Sequence, residues 1–202
     1  MAPSGRPTVY YIRHGETDWN VQGRLQGRQD VALNARGRGQ ALHCGSILRD
    51  LFARDGRDPA SFDYVSSPLG RARQTLELAR EALGLPLAGY RIDERLAEIA
   101  FGDWEGSTIA QLHTRDPQGI AAREHDKYRF MPPNGESYEA VTRRMGEWYE
   151  SLTCDTVAAA HGGTARGLIA YLKIAQPAAA PLIDIAQGVV YVFAGGTMTR
   201  YA

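Results

Sequence analysis

The stretch that decides the fold is residues 8–17, which read TVYYIRHGET. Its first half, Thr8 to Ile12, is rich in β-branched and aromatic residues and predicts a buried strand. Arg13 and His14 follow, where that strand gives way to a loop. Side chains at the carboxyl end of a parallel strand face the crevice in which α/β folds bind ligands. The stretch therefore indicates an α/β fold with a ligand site at this strand end.

The residues Arg13, His14 and Gly15 have chemistry that suits a phosphate group. The Arg13 guanidinium can donate two N–H bonds to phosphate oxygens, and a neutral His14 imidazole can attack phosphorus. Gly15 has no side chain, so we expect it to leave room for the ligand's approach. Three residues in this order also occur by chance, however. The phosphate interpretation therefore depends on which other residues of the chain lie near them in the fold.

Strand-like runs alternate with helix-like segments over the rest of the chain. Further strands are predicted at 62–66, 91–93 and 156–160, with a closing hairpin of 189–193 and 198–201, and helices at 34–54, 69–83, 108–115, 137–152 and 163–173. This alternation predicts a three-layer α/β sandwich, in which a mostly parallel central sheet carries helices on both faces. The length predicts one domain over residues 1–202, and the irregular stretch at about 107–136 is expected to form a lid-like helical and loop segment over the site.

Composition limits the partners and the compartment. The chain has 23 Lys and Arg residues against 23 Asp and Glu residues, so its net charge is zero and neither nucleic acid nor a membrane surface is an expected partner. Cys44 and Cys154 fit neither a disulfide nor a metal spacing, which favours a reducing compartment. No stretch is apolar and long enough to span a bilayer. A cytoplasmic enzyme is the expectation.

Polar side chains follow three of the predicted strands. Arg13 and His14 end the first, Ser66-Ser67-Pro68 ends the second, and His161 ends the third. They would converge on one crevice if these strands are neighbours in the sheet. Arg71 lies one turn inside the helix after the second strand, where its charge would add to the positive end of the helix dipole.

These residues belong to sequence blocks that fall in a recognisable order. The first block is RHGET at 13–17 with Trp19-Asn20, and the others are GRLQG at 23–27, SSPLGRARQT at 66–75, LAEIAFGDWEG at 96–106, PNGES at 133–137 and AHGG at 160–163. Together they resemble the histidine phosphatase superfamily, the one named after phosphoglycerate mutase, from about residue 8 to 170. The block at 96–106 is similar to the phosphatase branch, which includes the α-ribazole phosphate phosphatases and broad-specificity phosphatases.

The resemblance implies a phosphoglycerate mutase-like fold and a metal-free phosphoryl transfer through a phosphohistidine, with no cofactor. His14 would attack phosphorus, and Glu98 would protonate the leaving oxygen and later take a proton from water. The non-transferring oxygens would be held by Arg13, Arg71, Asn20, His161 and the Gly162 amide. Arg24, Gln26 and Gly27 would belong to the mouth of the site.

Less specific interpretations compete with these assignments. Arg71 and Arg73 would, without the pattern, be ordinary solvated helix arginines; with it, Arg71 matches the phosphate-binding position and Arg73 is expected to be structural. Glu98 would otherwise be a loop carboxylate. Trp104 and Glu105 are interpreted as scaffold.

A metal site is the other competing interpretation of these residues. His14, Glu16 and His161 offer ligand types, but two arginines expected within reach would repel a cation. No metal is therefore predicted.

Three functions are compatible with the resemblance. The favoured one is hydrolysis of a small phosphomonoester, because a mutase must close its site against water and the sequence ends at Ala202, directly after a strand-like run. Phosphoglycerate mutase-type transfer is the first alternative. A non-catalytic module that binds a phosphorylated ligand is the second, and the presence of every chemical residue disfavours it. The expected partner is the small-molecule substrate, and a homodimer is left open.

Overall fold

A six-stranded sheet forms the middle layer of the protein. The structure is a computed structural model and describes residues 5–202. The strands are β1 (Val9–Arg13), β2 (Asp63–Ser66), β3 (Arg91–Ile92), β4 (Thr156–Ala160), β5 (Val190–Ala194) and β6 (Thr197–Tyr201). They lie in the order β3-β2-β4-β1-β5-β6; the first four are parallel, and β5 and β6 are antiparallel additions at one edge. The prediction of a mostly parallel sheet is confirmed.

Helices cover both faces of this sheet. The helices of the described residues are α1 (Asp18–Val21), α2 (Ala35–Arg54), α3 (Gly70–Ala82), α4 (Ile109–Arg115), α5 (Pro117–His125), α6 (Tyr138–Glu150) and α7 (Gly162–Tyr171), and four of them pack on the sheet. Helices α2 and α3 pack together on one face, and α6 and α7 pack together on the other. The three-layer α/β sandwich is therefore confirmed.

The pleat of β1 explains why both faces are apolar. Val9 and Tyr11 pack into the core beneath α6 and α7, whereas Tyr10 and Ile12 pack into the core beneath α2 and α3. Successive side chains of a strand point to opposite faces, so a continuous apolar run is needed where both faces are covered. All four side chains are at most 5% exposed.

Five of the seven helices in the described residues begin at a side-chain cap. The Asn34 side chain accepts a hydrogen bond from the Gly37 amide at the start of α2, as its position before the helix predicted. Ser137 caps α6 in the same way through the Ala140 amide. These caps satisfy amide groups that the first helical turn leaves without partners.

The segment at 107–136 was predicted to contain helix and loop. A helix at 108–115 was predicted, whereas the following helix α5, which is capped by Asp116, was not. The two short helices bury Leu112 and Ile120 against Trp104, which gives the segment a small core of its own. None of its residues lines the cavity that contains His14, so its lid role stays a prediction.

Three further expectations concern a membrane-spanning stretch, the cysteines and the domain. Among residues 5–202 no helix is both long and apolar enough to cross a membrane. Cys44 is buried and Cys154 is exposed, and both are free thiols. Of the single domain predicted over 1–202, residues 1–4 lie outside the described part of the chain.

Candidate active site

The order of the strands brings three polar strand ends together. β4 lies between β1 and β2, so the three carboxyl ends meet at one edge of the sheet. Backbone hydrogen bonds extend past the strands, from the His14 amide to the Ala160 carbonyl (2.9 Å) and from the Ser67 amide to the Ala159 carbonyl (3.0 Å). The imidazole rings of His14 and His161 are consequently 5.1 Å apart, centroid to centroid. The predicted convergence of the three strands is present.

His14 lines a cavity of about 140 Å³ and is held in one tautomer. Its Nδ1 atom lies 2.8 Å from the Gly15 carbonyl oxygen, which can only accept a hydrogen bond. Nδ1 therefore carries the proton. Burial lowers the pKa of His14 well below its ordinary value, and the charges of Arg71 and Arg13 act in the same direction. The neutral ring thus keeps a lone pair on Nε2, as an attack on phosphorus requires.

Gly15 has a different function from the one predicted. A Cβ atom at this position would lie 2.1 Å from the Gly37 carbonyl oxygen in the first turn of α2. The missing side chain makes room for a helix, and the expectation that it clears a path for the ligand is wrong.

Two arginines, the buried Arg71 and the partly buried Arg13, line the cavity of His14. Arg71 donates to the carbonyls of Gln29 (2.6 Å) and Gly27 (2.8 Å), and Arg13 donates to the carbonyl of Ile185 (2.5 Å). Within residues 5–202 the buried Nε atoms of both arginines lack a hydrogen-bond partner, and neither guanidinium forms an ion pair with a carboxylate. Arg71 is 1% exposed, so it is not a solvated helix arginine.

These arginines carry positive charge that the protein does not neutralise locally. Burial lowers the pKa of Arg13 and of Arg71, while the Glu98 carboxylate acts in the opposite direction on both. Carbonyl groups orient the guanidinium groups without cancelling their charge. Such a pair is suited to an anion, because an anion would supply both the missing hydrogen bonds and the missing countercharge.

His161 is the residue before the first turn of α7 and is completely buried. Its Nε2 atom shares a hydrogen bond of 2.7 Å with the Ser67 hydroxyl, which ties the ends of β4 and β2 together. Burial, followed by the charge of Arg71, lowers the pKa of His161 well below its ordinary value. His161 is therefore a neutral ring fixed by Ser67 next to His14, and it does not itself line the cavity.

Glu98 lies over the first turn of α7. Its Oε1 atom accepts hydrogen bonds from the amides of Gly163 and Ile99, both 2.9 Å long, and Oε2 makes only a 3.3 Å contact with the Gly163 amide. The carboxyl group lines the same cavity as His14. A Cβ atom on Gly163 would lie 2.3 Å from Glu98 Oε1, so a glycine is needed for this approach.

The remaining predicted residues also line this cavity. The Asn20 Oδ1 atom accepts from the Thr17 amide and from Gln187 Nε2 (both 3.1 Å), whereas its Nδ2 makes no hydrogen bond within the described residues. Gln26 is buried with an unpartnered Oε1. The other three are Gly162, Gly27 and Arg24. The Gly27 carbonyl accepts a hydrogen bond from Arg71, and Arg24 donates to the Gly106 carbonyl (2.6 Å).

Sequence reasoning missed three residues of the site. Arg166 and Tyr138 line the cavity, and Gln187 donates to the His14 carbonyl (3.0 Å) as well as to Asn20. The argument that selected Arg71 also applies to Arg166, because Arg166 lies in the second turn of the helix that follows β4. Gln187 carried no local signal, since only the fold brings it to β1.

Trp104 and Glu105, which were interpreted as scaffold, make hydrogen bonds within the protein, whereas Arg73, which was expected to be structural, lies on the surface. Trp104 is 2% exposed and donates to Asp116 (2.9 Å), and Glu105 accepts from the amides of Arg28 (2.9 Å) and Phe101 (3.1 Å). Arg73 is exposed.

Glu16 does not contribute to a metal site with His14. Its carboxylate accepts from Asn34 Nδ2 (3.0 Å) and pairs with Arg36, at the start of α2.

Comparison with known proteins identifies the family. Residues 9–197 match the histidine phosphatase superfamily (branch 1). The chain belongs to this superfamily. The resemblance stated from the sequence blocks is confirmed.

Its relatives and structural neighbours include phosphatases. The chain is 34% identical over 177 residues to the adenosylcobalamin/α-ribazole phosphatase of Salmonella typhimurium, a match that covers 85% of this chain and 81% of that protein. It is 36% identical over 138 residues to the uncharacterized phosphatase PhoE of Bacillus subtilis, which covers 68% of this chain and 60% of the relative's length.

The structure of a putative α-ribazole-5′-P phosphatase from Escherichia coli superimposes with a TM-score of 0.78 at 27% identity, over 97% of this chain and 95% of that one. A mycobacterial glucosyl-3-phosphoglycerate phosphatase gives 0.77 at 30% identity, over 92% and 89%. The fold class is confirmed, and the predicted enzyme class, a phosphatase, is the class of these relatives.

Proposed function

We propose that this chain hydrolyses small phosphomonoesters in two steps, through a phosphate carried on His14, without a metal ion. The observation that carries the proposal is the state of His14, a neutral ring with its proton on Nδ1 and a free Nε2 beside two unneutralised guanidinium groups. This arrangement supports an attack by His14 on a phosphate group that is bound by the two arginines.

In the first step, the His14 Nε2 lone pair bonds to phosphorus while the bond from phosphorus to the leaving oxygen breaks. Glu98 gives its proton to that oxygen. In the second step, a water oxygen bonds to phosphorus, Glu98 takes a proton from this water, and the N–P bond breaks. His14 and Glu98 then return to their starting states.

The geometry of Glu98 indicates which oxygen would carry the proton. Oε1 accepts two backbone hydrogen bonds of 2.9 Å, so its lone pairs are engaged. We assign the proton to Oε2, which makes only the longer contact.

Arg13 and Arg71 would stabilise the charge that spreads over the non-transferring oxygens in the transition state. Metal ions perform this task in many phosphoryl-transfer enzymes. Here two fixed guanidinium groups, the Asn20 amide and the Gly162 N–H would do so instead, with His161 beside them. Their hydrogen bonds to backbone carbonyls hold the arginines in position before the substrate arrives, so little reorganisation is needed.

The names of the relatives favour hydrolysis over mutase-type transfer, but they differ in the leaving group. One is named for α-ribazole and adenosylcobalamin, and another for glucosyl-3-phosphoglycerate. We therefore infer the substrate class, a small phosphorylated metabolite, and leave its identity to a screen.

The test is a hydrolysis screen over phosphorylated metabolites, ranked by kcat/KM, with protein that has been exhaustively chelated. Release of inorganic phosphate that survives chelation and is lost in His14→Ala is the expected result. Activity that returns only in proportion to added Mg²⁺ or Zn²⁺ would contradict the arginine mechanism. Tight phosphate binding without turnover would favour the non-catalytic module.

A further inference from the structure

Gln187 lies in the segment that leads into β5, and its side chain contacts two residues of the candidate active site. Its Nε2 atom donates to the His14 carbonyl (3.0 Å) and to Asn20 Oδ1 (3.1 Å). Gln187 does not itself line the cavity of His14, so it is not placed to touch a ligand there. It also lies outside the recognised sequence blocks, and the proposed mechanism leaves it without a role.

The His14 carbonyl determines which way the Gln187 amide faces. A backbone carbonyl oxygen can only accept a hydrogen bond, so the atom of Gln187 beside it is the NH2 nitrogen and not the oxygen. This nitrogen carries two protons. One is directed to the His14 carbonyl and the other to Asn20, so the atom of Asn20 that receives it is the side-chain oxygen.

The Asn20 side chain is consequently turned so that its NH2 group is left for a ligand. Asn20 Oδ1 accepts from the Thr17 amide, from the Thr17 hydroxyl and from Gln187, all at 3.1 Å. An inverted Asn20 amide would set its own N–H groups against the N–H donors of both residues. Asn20 lines the cavity, and its Nδ2 makes no hydrogen bond within the described residues. Nδ2 is thus the atom with which Asn20 would bind a phosphate oxygen.

Gln187 adds a connection that Thr17 does not provide. Thr17 is the N-terminal cap of α1, so its bonds tie the Asn20 side chain to the first turn of its own helix. Gln187 approaches from the segment before β5 and binds the backbone of the nucleophile through the same nitrogen. It therefore fixes the Asn20 amide relative to His14.

The segment that carries this glutamine is itself held in place. The Ile185 carbonyl accepts from Arg13 (2.5 Å), and the Ala186 amide donates to the Tyr191 hydroxyl on β5 (2.8 Å). Ile185 is completely buried. One short segment thus holds both Arg13 and Asn20, two groups proposed to bind the non-transferring oxygens. Groups that are fixed beforehand need little rearrangement when charge develops on the phosphate.

We propose that Gln187 is a positioning residue, which keeps the Asn20 NH2 group directed at the transferring phosphate and in fixed relation to His14. This inference rests on the proposed hydrolysis at His14. Because Gln187 acts through Asn20, its hydrogen bonds should matter only while the Asn20 side chain is present. A residue that only packs in the segment would be replaced without loss by an apolar side chain of similar length.

A double-mutant cycle tests this dependence. Gln187→Met keeps the length of the side chain and removes both hydrogen bonds. Alone, it should slow the single-turnover phosphorylation of His14 about 10-fold, the scale of one lost hydrogen bond to a charged group. In the Asn20→Ala background, the same substitution should cost less than about 3-fold, since the two residues are coupled. Equal losses in both backgrounds, or no loss in the single variant, would overturn the positioning role.

Gln40→Met is the matched control. Gln40 is also partly buried, and its Oε1 accepts from the Glu16 amide (2.8 Å), two residues after the nucleophile in the chain. Within the described residues it forms no hydrogen bond with Asn20, and it does not line the cavity of His14. This variant should phosphorylate His14 at the wild-type rate.

Phosphate binding separates the positioning role from the hydrolysis. The chain contains three asparagines, and in protein labelled with ¹⁵N at asparagine the Asn20 signal is the one missing from Asn20→Ala. Inorganic phosphate should shift the Asn20 side-chain amide signal of the wild type, with a Kd that is about 10-fold weaker in Gln187→Met. This result would support the positioning role even if no phosphomonoester were hydrolysed.

The same titration also gives the contrary result a clear form. Hydrolysis at His14 without a phosphate-induced shift of the Asn20 amide in the wild type would overturn the positioning role, whether or not Gln187→Met folds. An unchanged Kd in a folded Gln187→Met would overturn it as well. Both results would leave the proposed hydrolysis intact.

Discussion

At the scale of single residues, the proposed role of Glu98 as a general acid makes the most specific prediction. A general acid matters in proportion to the basicity of the leaving group, and it contributes on the order of 10²–10⁴-fold where its proton is needed. Glu98→Gln should therefore slow phosphorylation of His14 by about that factor with alkyl phosphates and far less with p-nitrophenyl phosphate. Single-turnover measurements isolate this first step.

Glu105→Gln is the matched control for that substitution. Glu105 lies in the same sequence block, but its carboxylate bonds to the amides of Arg28 and Phe101 and it does not line the cavity of His14. Any loss in this variant should be equal for the two substrates. Equal losses in Glu98→Gln as well would demote Glu98 to a binding or structural role.

Single residues also show how much of the candidate site could be predicted from the sequence. Arg13, His14, Arg71, Glu98 and His161 were all named in advance, because each stands at a strand end, in a helix start or in a recognised block. Arg166 was missed although it occupies the second turn of its helix. Gly15 was assigned a function from its lack of a side chain, whereas the neighbour that fills this space, Gly37, becomes visible only in the fold.

At the scale of elements, the first turn of α7 joins the proposed acid, Glu98, to the backbone that is proposed to bind phosphate. Gly163 brings its amide to the Glu98 carboxylate, and a Cβ atom there would also lie 2.6 Å from the Ile99 side chain. Gly163→Ala should cost about 1–3 kcal/mol of unfolding free energy, as overpacking does, and should slow hydrolysis of alkyl phosphates more than of p-nitrophenyl phosphate. Chemical denaturation and the paired rate measurements check both effects.

Gly39→Ala provides the control for the helical change itself. Gly39 lies within α2, and a Cβ atom on it would meet nothing within 4 Å. This substitution should stabilise the protein by about 0.5–1 kcal/mol, since alanine favours a helix interior. A Gly163→Ala variant with wild-type stability and wild-type substrate ratios would show that α7 does not position Glu98.

Among the elements, strands whose side chains are buried on both faces of the sheet were predicted correctly. A helix with a single buried side chain was missed. The apolar runs that became β1 and β4 are covered on both faces, so their sequence alone predicts strands. Helix α5 was missed because Pro117 and Gly119 interrupt its pattern and only Ile120 is buried. Its stability depends on the Asp116 cap and on contact with Trp104, which is a tertiary effect.

At the scale of the whole molecule, two buried neutral histidines of the candidate active site make the free energy of unfolding depend on pH. In the unfolded chain a histidine gains a proton as the pH falls below about 6.5, whereas His14 and His161 stay neutral in the folded protein well below that value. The unfolded state then binds more protons, so the free energy of unfolding decreases as the pH falls. The expected contribution is about 1.4 kcal/mol per pH unit for each histidine.

Variants isolate this contribution from that of the carboxylates. Between about pH 6 and pH 5, the unfolding free energy of His14→Asn should decrease less steeply than that of the wild type, by about 1.4 kcal/mol per pH unit. His43→Asn should keep the wild-type slope, because His43 is exposed on α2. Identical slopes in all three proteins would contradict a neutral, buried His14.

The central claim is that His14 carries the phosphate, and a quench experiment tests it most directly. Wild-type enzyme mixed with a ³²P-labelled phosphomonoester is quenched in alkali within one turnover, digested and mapped. The account predicts an acid-labile, alkali-stable phosphate on the peptide that contains His14, absent in His14→Ala, which should also lose turnover. Full hydrolysis by His14→Ala, or label on another residue, would contradict the account.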